Sequence, residues 1–502
     1  MRSLETEHHE AMIESLRKVA LWVEDRVHVT KIWNATAGHM IPKSAASWFY
    51  VFGSATMLCL MVQILTGICL ALIYQPTASE AFDSLEYLTY QATLGWFLRG
   101  LHYWGSNFMV AIMVLHMTQV FLFGAFKYPR EMTWISGVFL MLLTLGMAFS
   151  GQVLRWDQDA YWGLGIGVAI VGRIPFIGPE AVHMLLGGPI IAGETLSRFF
   201  TLHVFVIPGL ILAILSLHLR LVLTKGINEY PEPGKPVVKE TYVEEYEEMV
   251  HKDGEPFVPN GVGKDVMFAA FVLGLMFAAV LVFGPKGPEG MPDPTLIHTN
   301  PRPDWAFLWI FAVASLLPPW TETVFLLVAP VLAIAFLILI PFIANTGEKH
   351  WARRPVSVLG VVFIFLILGT LTWYGATSPW SPEMEAWSED PTPPELLKDL
   401  TPLELQGALV FQSKQCRNCH SLDGIGGKRG PDLNGVGDRL DRDQLIRQVI
   451  QGGGNMPAYG QNLSPAEVDA LVAFMQTLHP GKEPAAVSPE IPDTVPGKTA
   501  GL

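Results

Sequence analysis

The feature that most constrains this chain is a series of seven long stretches without a charged residue. They lie between Lys43 and Glu80, Arg99 and Lys127, Glu131 and Arg155, Arg198 and Arg220, Asp265 and Lys286, Glu322 and Glu348, and Arg354 and Glu383. A hydrocarbon core of ~30 Å is crossed by about 20 helical residues. Only 16% of the 502 residues are charged, against about 25% in soluble proteins. The sequence therefore predicts an all-α transmembrane bundle of seven spans.

Three shorter apolar runs, at residues 161–172, 181–193 and 305–321, fall short of a comfortable crossing. They predict helices that lie at the membrane surface or re-enter it, and the last is a candidate eighth span. Near the N-terminus, apolar residues recur at helical intervals: Met12, Leu16, Val19, Val23 and Val27. This stripe predicts an amphipathic helix within residues 1–45, resting on the membrane or packed on the protein itself.

Loop charges give the expected orientation. Acidic residues stand where a signal peptide would be basic, so the N-terminus is expected to stay in the cytoplasm. Basic residues then fall in the second–third and sixth–seventh loops, which would be cytoplasmic: Lys127, Arg130, Lys349, Arg353 and Arg354. An odd number of spans places everything after Glu383 outside a prokaryotic cytoplasmic membrane. Arg155, Arg173 and Arg198 contradict this bias and need another reason, such as an anionic cofactor group.

The composition predicts seven segments along the chain. Residues 1–45 precede a four-span region at 46–225, a cytoplasmic loop at 226–263 and a three-span region at 264–378. A Pro-rich linker at 379–399 leads to a polar helical domain at 400–480 and a disordered tail at 481–502. Ser464, Pro465 and Glu467 predict the start of the last helix. A net charge of −13 without a basic tract argues against a nucleic-acid partner.

The polar domain contains Cys416-Arg417-Asn418-Cys419-His420. In this C-x-x-C-H pattern the two thiols attach a c-type haem covalently and the histidine binds its iron. Half of a zinc site or a redox dithiol is the alternative. Met456 lies in an otherwise polar, glycine-rich loop, where a thioether suits the second iron ligand, although a buried filler methionine remains the alternative.

Four histidines lie inside two of the predicted spans. His102 and His116 are 14 residues apart on the second span, and His203 and His218 are 15 apart on the fourth. At 1.5 Å per residue each pair is separated by about 21–22 Å and returns to within roughly 60° of one helix face. Histidines that are merely hydrogen-bonded in a bundle are the alternative. The matched pairs predict two stacked, non-covalent b haems, His102 with His203 outside and His116 with His218 inside.

Glycines on the first and third spans repeat the same interval. Gly53 and Gly67, and likewise Gly137 and Gly151, are 14 residues apart, and a residue without a side chain lets a helix approach a flat macrocycle. Plain helix–helix contact is the alternative for any one pair. Arg99 and Arg198 shortly precede the outer histidines, and we predict that they neutralise haem propionates, with surface anchoring as the alternative.

These residues resemble the cytochrome b family of quinol–cytochrome c oxidoreductases, the cytochrome bc and b6f complexes, over roughly residues 10–380. The 15-residue histidine gap and the segment Trp156-Asp157-Gln158-Asp159-Ala160-Tyr161-Trp162 are similar to the b6 branch. Residues from about 262 resemble that branch's subunit IV, fused in line. The C-terminal domain resembles a class I cytochrome c, whose loop beside the haem is matched by Gly430-Pro431-Asp432-Leu433.

The resemblance implies a quinol-oxidation pocket at the outer face, where the family carries Pro-Glu-Trp-Tyr. This chain has Pro303-Asp304-Trp305-Ala306 instead. Asp304 keeps a carboxylate for the quinol proton, with a helix N-terminal acid as the alternative, whereas Ala306 lacks the tyrosine hydroxyl. We expect a low-potential quinol, menaquinol, in this pocket.

The resulting hypothesis is a cytochrome b–c subunit of a quinol:cytochrome c oxidoreductase that translocates protons. A Rieske [2Fe-2S] centre needs two cysteine and two histidine ligands. Two of the four cysteines belong to the C-x-x-C-H motif, and Cys59 and Cys69 are most simply core residues of the first span. The Rieske centre is therefore expected on a partner chain. The resemblance also implies a homodimeric core, the lipid quinone pool, and a cytochrome c or terminal oxidase as acceptor. The alternative function is a membrane electron conduit that links quinone to a dehydrogenase or reductase without splitting electrons.

Overall fold

The computed structural model describes residues 2–188, 191–293, 302–317, 319–377, 391–418, 420–426, 431–452, 456, 459–460 and 462–479. The helices, one of them a π-helix, are Arg2–Val27, Val29–Ala35, Phe52–Ala71, Ala81–Tyr90, Gly95–Leu122, Glu131–Val153, Gln158–Gly172, Gly178–Leu186, Gly193–Thr201, Leu202–Val206 (the π-helix), Ile207–Lys225, Tyr242–Asp253, Phe257–Phe283, Leu308–Leu316, Pro319–Ile343, Pro355–Thr377, Pro402–Ser413, Val436–Arg439, Arg442–Gln451 and Pro465–Gln476. Two short antiparallel strand pairs are present, Met40–Pro42 with Gly254–Pro256 and Ser421–Leu422 with Ile425–Gly426. The described parts also contain short 3-10 helices at Lys43–Ala45, Trp48–Tyr50, Trp305–Phe307, Trp351–Arg353, Pro394–Leu397 and Cys416–Asn418. The predicted all-α class is confirmed.

Seven helices in the described parts of the chain are long and apolar enough to cross a membrane. They are Phe52–Ala71, Gly95–Leu122, Glu131–Val153, Gly193–Lys225, Phe257–Phe283, Thr321–Ile343 and Pro355–Thr377, and we refer to them as the first to seventh spans. The candidate eighth span forms only a nine-residue helix, Leu308–Leu316. At 1.5 Å per residue such a helix is about 14 Å long, too short for a crossing.

The chain divides into two compact units. The first contains residues 1–178, 196–292 and 300–382, and the second contains residues 179–195, 293–299 and 383–502. Within the first unit, the first span packs on the second and the third packs on the fourth. The fifth span adds Val272, Met276 and Val280 to a core with residues of the first two spans. The result is a four-helix bundle with additional helices packed around it.

The fourth span is interrupted by the π-helix Leu202–Val206, which contains His203. Pro208 lies just beyond it, and because proline has no N–H and its ring clashes with the carbonyl four residues earlier, regular α-helical bonding fails here. A π-helix places one extra residue in a turn. The 15-residue gap from His203 to His218 therefore behaves like the 14-residue gap on the second span.

The N-terminal stripe forms part of the helix Arg2–Val27. Met12 is 53% and Leu16 is 62% exposed, so these side chains are not packed in the protein core. This agrees with the amphipathic surface helix among the two predicted alternatives.

The second unit has its own core, in which the helix Pro402–Ser413 packs on Pro465–Gln476. Phe411 and Phe474 meet edge to face at 5.6 Å between ring centres, and Gly407 brings its helix against the carbonyl of Ala470. Ser464 caps the last helix with Pro465 in the first turn, as predicted. The tail at 481–502 and most of the linker lie outside the described residues.

Candidate functional site

The structure brings the four histidines of the spans together in two pairs. The ring centres of His102 and His203 are 6.2 Å apart, with the planes inclined by 74°. His116 and His218 line one cavity of about 370 Å³ in the same bundle. The rings of His102 and His203 thus face each other and His116 and His218 share a cavity, while the assignment of the four histidines as haem ligands stays a prediction.

Each of the four predicted glycines lies against one imidazole. A Cβ added to Gly151 would stand 2.8 Å from Cε1 of His203, and one added to Gly67 would stand 3.1 Å from Cε1 of His102. The equivalent distances in the inner pair are 3.3 Å for Gly53 to His116 and 3.5 Å for Gly137 to His218. A side chain at any of these positions would crowd a histidine.

Three of the histidines have a hydroxyl partner. The Nδ1 atoms of His102, His218 and His203 lie 2.9 Å from the hydroxyl oxygens of Thr66, Ser136 and Ser150, respectively. The Nδ1 atom of His116 is buried and has no hydrogen-bond partner among the residues that the structure describes. The two pairs thus differ in their surroundings.

This donor set fits iron porphyrin. A ring-centre separation near 6 Å accommodates one metal ion bonded to a nitrogen of each imidazole at about 2.0–2.1 Å. Across the described residues, no group of three or more His, Cys, Asp or Glu side chains is arranged to hold a metal ion. Two opposed imidazoles suit a metal that brings its other donors with it, as haem iron does. The glycines leave the space that a flat ring needs beside them.

The predicted propionate arginines lie in different surroundings. The buried Arg99 donates to the carbonyls of Lys286 and Gly287 and to the Thr89 hydroxyl, so it holds the loop after the fifth span. Arg198 is exposed. Arg155 is buried and pairs with Asp157 through Nη2, at 3.2 Å, but its Nε and Nη1 atoms have no partner in the described structure. Two unpaired donors on a buried cation suit an anionic group.

Asp304 of the predicted quinol pocket lies beside a lysine. Its Oδ1 is 4.0 Å from Nζ of Lys286, which is also 3.6 Å from Oδ2 of Asp159. Asp304 precedes the short helix Trp305–Phe307, yet its side chain makes no capping hydrogen bond. Asp304 thus stands at a helix N-terminus, and both alternatives for its role stay predictions. The adjacent Trp305 donates its indole N–H to Oδ1 of Asn107, at 2.5 Å, and Pro303 precedes Asp304 in the same segment.

In the second unit, Cys416 opens a short helix and His420 follows it, whereas Cys419 lies outside the described residues. Nδ1 of His420 is 2.7 Å from the carbonyl oxygen of Pro431, to which it donates, so Pro431 contacts the histidine. Burial lowers the pKa of His420, which favours the neutral form that binds metals. Met456 packs against the core of this unit.

A polar cluster joins the start of the third span to the loops that follow the fourth and sixth spans. Lys349 pairs with Glu229 at 2.6 Å, and Arg130 donates to the Tyr242 hydroxyl, which donates to Glu229. Burial alone would raise the pKa of Glu229, but the Lys349 ammonium and Arg130 hold it below its usual value. This cluster ties the loops to the bundle.

Comparison with known proteins shows the family to which the chain belongs. The chain is 33% identical to cytochrome b of Rhodobacter capsulatus over 377 residues, covering 71% of this chain and 84% of that protein. The chain belongs to the cytochrome b family. The family model for cytochrome b/b6/petB matches residues 37–226 of this cytochrome b, a range that contains all four histidines and all four glycines. The predicted relationship is confirmed.

Three further comparisons extend the match. This cytochrome b is 36% identical to the menaquinol:cytochrome c reductase cytochrome b subunit of Geobacillus thermodenitrificans over 220 residues, 42% of this chain and 98% of that one. It is similar to a solved hyperthermophilic respiratory Complex III, with 26% identity, a TM-score of 0.57, and coverage of 72% of this chain and 92% of that one. The family model for cbb3-type cytochrome c oxidase subunit III matches residues 403–475.

These matches and the seven apolar helices indicate a multi-pass membrane protein whose relatives belong to respiratory Complex III assemblies, and the two matched domains imply haem b and haem c. Sequence reasoning missed Thr66, Ser136 and Ser150, although each directly precedes one of the four glycines. It did single out Arg155, as a basic residue in a loop expected to lie outside, and suggested an anionic cofactor group as the reason.

Proposed function

We propose that this chain is the cytochrome b–c subunit of a menaquinol:cytochrome c oxidoreductase that splits the two electrons of quinol. The observation that carries the proposal is the pair of opposed imidazole sites, each flanked by glycines, on a chain that also carries a C-x-x-C-H motif. The name of the Geobacillus thermodenitrificans relative supports menaquinol as the substrate.

In this proposal the chain holds three haems. His102 and His203 bind the outer b haem and His116 and His218 bind the inner one, while Cys416, Cys419, His420 and Met456 hold the c haem. When bound, these groups carry single electrons, the b pair between the two membrane faces and the c haem toward an acceptor. Arg155 provides two unpaired N–H donors for a propionate, alongside the roles predicted for Arg99 and Arg198.

Asp304 accepts a proton from quinol at the outer face. Oxidation of quinol to quinone releases two electrons and two protons, so a carboxylate beside the hydroxyl lowers the barrier. The ammonium of Lys286 lies 4.0 Å from that carboxylate, within reach of a charged oxygen. Pro303 and Trp305 form the wall of the pocket, and Ala306 leaves room where the family carries a tyrosine.

The membrane arrangement follows from the loop charges. The N-terminus lies in the cytoplasm and the c domain outside a prokaryotic cytoplasmic membrane. One electron of quinol passes through a Rieske iron–sulfur partner to the c haem, and the other passes to the b haems. A cytochrome c or terminal oxidase accepts electrons from the c haem. The protons of quinol leave at the outer face. The core is a homodimer.

Oxidant-induced reduction tests the proposal in the purified complex with its iron–sulfur partner. With the inner quinone site inhibited, a pulse of oxidant should reduce the b haems while the c haem becomes oxidised, since only electron splitting couples the two. Simple oxidation of every haem would overturn bifurcation and leave the conduit function. A control inhibitor of quinol oxidation should abolish the b-haem signal.

A further inference from the structure

Three of the four glycines that face the imidazoles are preceded by a hydroxyl residue. The dipeptides are Thr66-Gly67, Ser136-Gly137 and Ser150-Gly151, and the fourth is Phe52-Gly53. In each of the three, the hydroxyl oxygen and the glycine contact the same histidine. His116, which faces Phe52-Gly53, is the histidine whose Nδ1 has no hydrogen-bond partner in the described parts of the chain.

The backbone decides which group donates in these contacts. Thr66 donates its hydroxyl hydrogen to the carbonyl of Val62 at 2.6 Å, and Ser136 and Ser150 donate to carbonyls three residues earlier at 2.9 and 3.1 Å. A hydroxyl has a single hydrogen to give. Its oxygen can therefore only accept from the imidazole. Each imidazole also has a backbone partner, Gln63 for His102, Thr133 for His218 and Met147 for His203, and a backbone carbonyl likewise only accepts. Both contacts place the proton on Nδ1 and leave Nε2 its lone pair.

We propose that Thr66, Ser136 and Ser150 are positioning residues that select the iron-binding tautomer of three haem ligands and lower the reduction potentials of the b haems. This inference rests on the proposed function, because it assumes that the four histidines bind haem iron. A hydrogen bond accepted from the second nitrogen of a metal-bound imidazole fixes the ring and makes it a more basic ligand.

A more basic ligand stabilises ferric over ferrous iron, so each hydroxyl lowers the potential of its haem. The outer pair has two such hydroxyls, Thr66 and Ser150, and the inner pair has one, Ser136. The missing fourth contact at His116 therefore makes the two sites unequal and biases the inner haem toward the reduced state. Electrons entering at the outer haem are drawn inward.

The test is a redox titration of the purified complex carrying Ser136→Ala. Losing one neutral hydrogen bond is expected to change the ferric/ferrous equilibrium by about two- to tenfold, an upward shift of about 20–60 mV at 59 mV per tenfold. Only the inner haem should move. Ser136→Thr should restore the potential. The control Ser106→Ala, which removes a helix hydroxyl that donates to the carbonyl of Tyr103, should leave both haems unchanged.

A gain of function completes the test at His116. Phe52→Ser supplies the missing hydroxyl and should lower the potential of the inner haem, whereas Phe52→Val should not. The inference is overturned if Ser136→Ala retains both b haems and neither potential shifts. Absence of b haem from the wild-type protein would instead overturn the proposed function itself, and this inference with it, so the two failures are distinguishable.

Discussion

Adding a methyl group at Gly151 should expel the outer b haem while the chain still folds. The new Cβ would lie 2.8 Å from Cε1 of His203, closer than Cβ contacts in real structures. The imidazole of His203 must therefore shift from the position in which it faces His102. Overpacking of this kind costs about 1–3 kcal/mol. If that cost falls on the haem-bound state, haem affinity drops roughly 5- to 150-fold.

The four glycines form a graded series. The distances from the added Cβ to the imidazole increase from 2.8 Å at Gly151 to 3.1 Å at Gly67, 3.3 Å at Gly53 and 3.5 Å at Gly137. Loss of b haem on substitution by alanine should follow this order, with Gly137→Ala the mildest. The covalent c haem on the same chain serves as the internal standard, so the b-to-c ratio of the purified protein is the measurement.

Gly209→Ala is the matched control. Gly209 lies on the fourth span with nothing within 4 Å of an added Cβ, and alanine is the better helix former by about 1 kcal/mol. Its b-to-c ratio should equal that of the wild type. Equal ratios for Gly151→Ala and Gly209→Ala, or an order of loss unrelated to the distances, would refute the close approach of the helices to haem.

Other substitutions separate the parts of the site. Asp304→Asn should lower quinol-dependent cytochrome c reduction about 100-fold or more with unchanged haem spectra, and Asp304→Glu should retain most activity; an unaffected rate in the asparagine variant would remove Asp304 from proton transfer. Cys416→Ala should lose covalently bound haem in a denaturing gel and keep both b haems; retained haem staining would contradict the c-type assignment. Glu229, whose pKa is lowered in the fold, contributes stability above pH ~4.5 that is lost as the pH falls through its folded pKa. Glu229→Gln should therefore melt at a lower temperature at pH 7 and lose less on acidification, and an acid dependence identical to that of the wild type would exclude this role.

Much of the architecture could be predicted because the bilayer imposes strong rules on sequence. Charge-free runs located all seven spans. Helical periodicity and the expected orientation of the spans together predicted the pairing of His102 with His203. The interval of 14 residues between glycines predicted which helices would face the imidazoles. These inferences depend on the thickness of the bilayer and on regular helix geometry.

The hydrogen-bond partners of individual side chains could not be predicted from the sequence. Arg99 stands one turn from a histidine, but its guanidinium donates to the carbonyls of Lys286 and Gly287, residues far along the chain. A local sequence pattern around Arg99 does not indicate a contact with a segment so distant in the chain. The π-helix at His203 was not predicted for another reason. Pro208 indicates a disturbed helix, but it does not indicate whether the helix kinks or widens into a π-turn.

Haem quantitation tests the central claim most directly. A reduced-minus-oxidised spectrum with pyridine haemochrome analysis of the purified chain should give two b haems for each c haem, and replacing any one of His102, His116, His203 or His218 by leucine should remove one b haem and leave the c haem in place. A wild-type ratio other than two to one, or a histidine variant that keeps both b haems, would contradict the account.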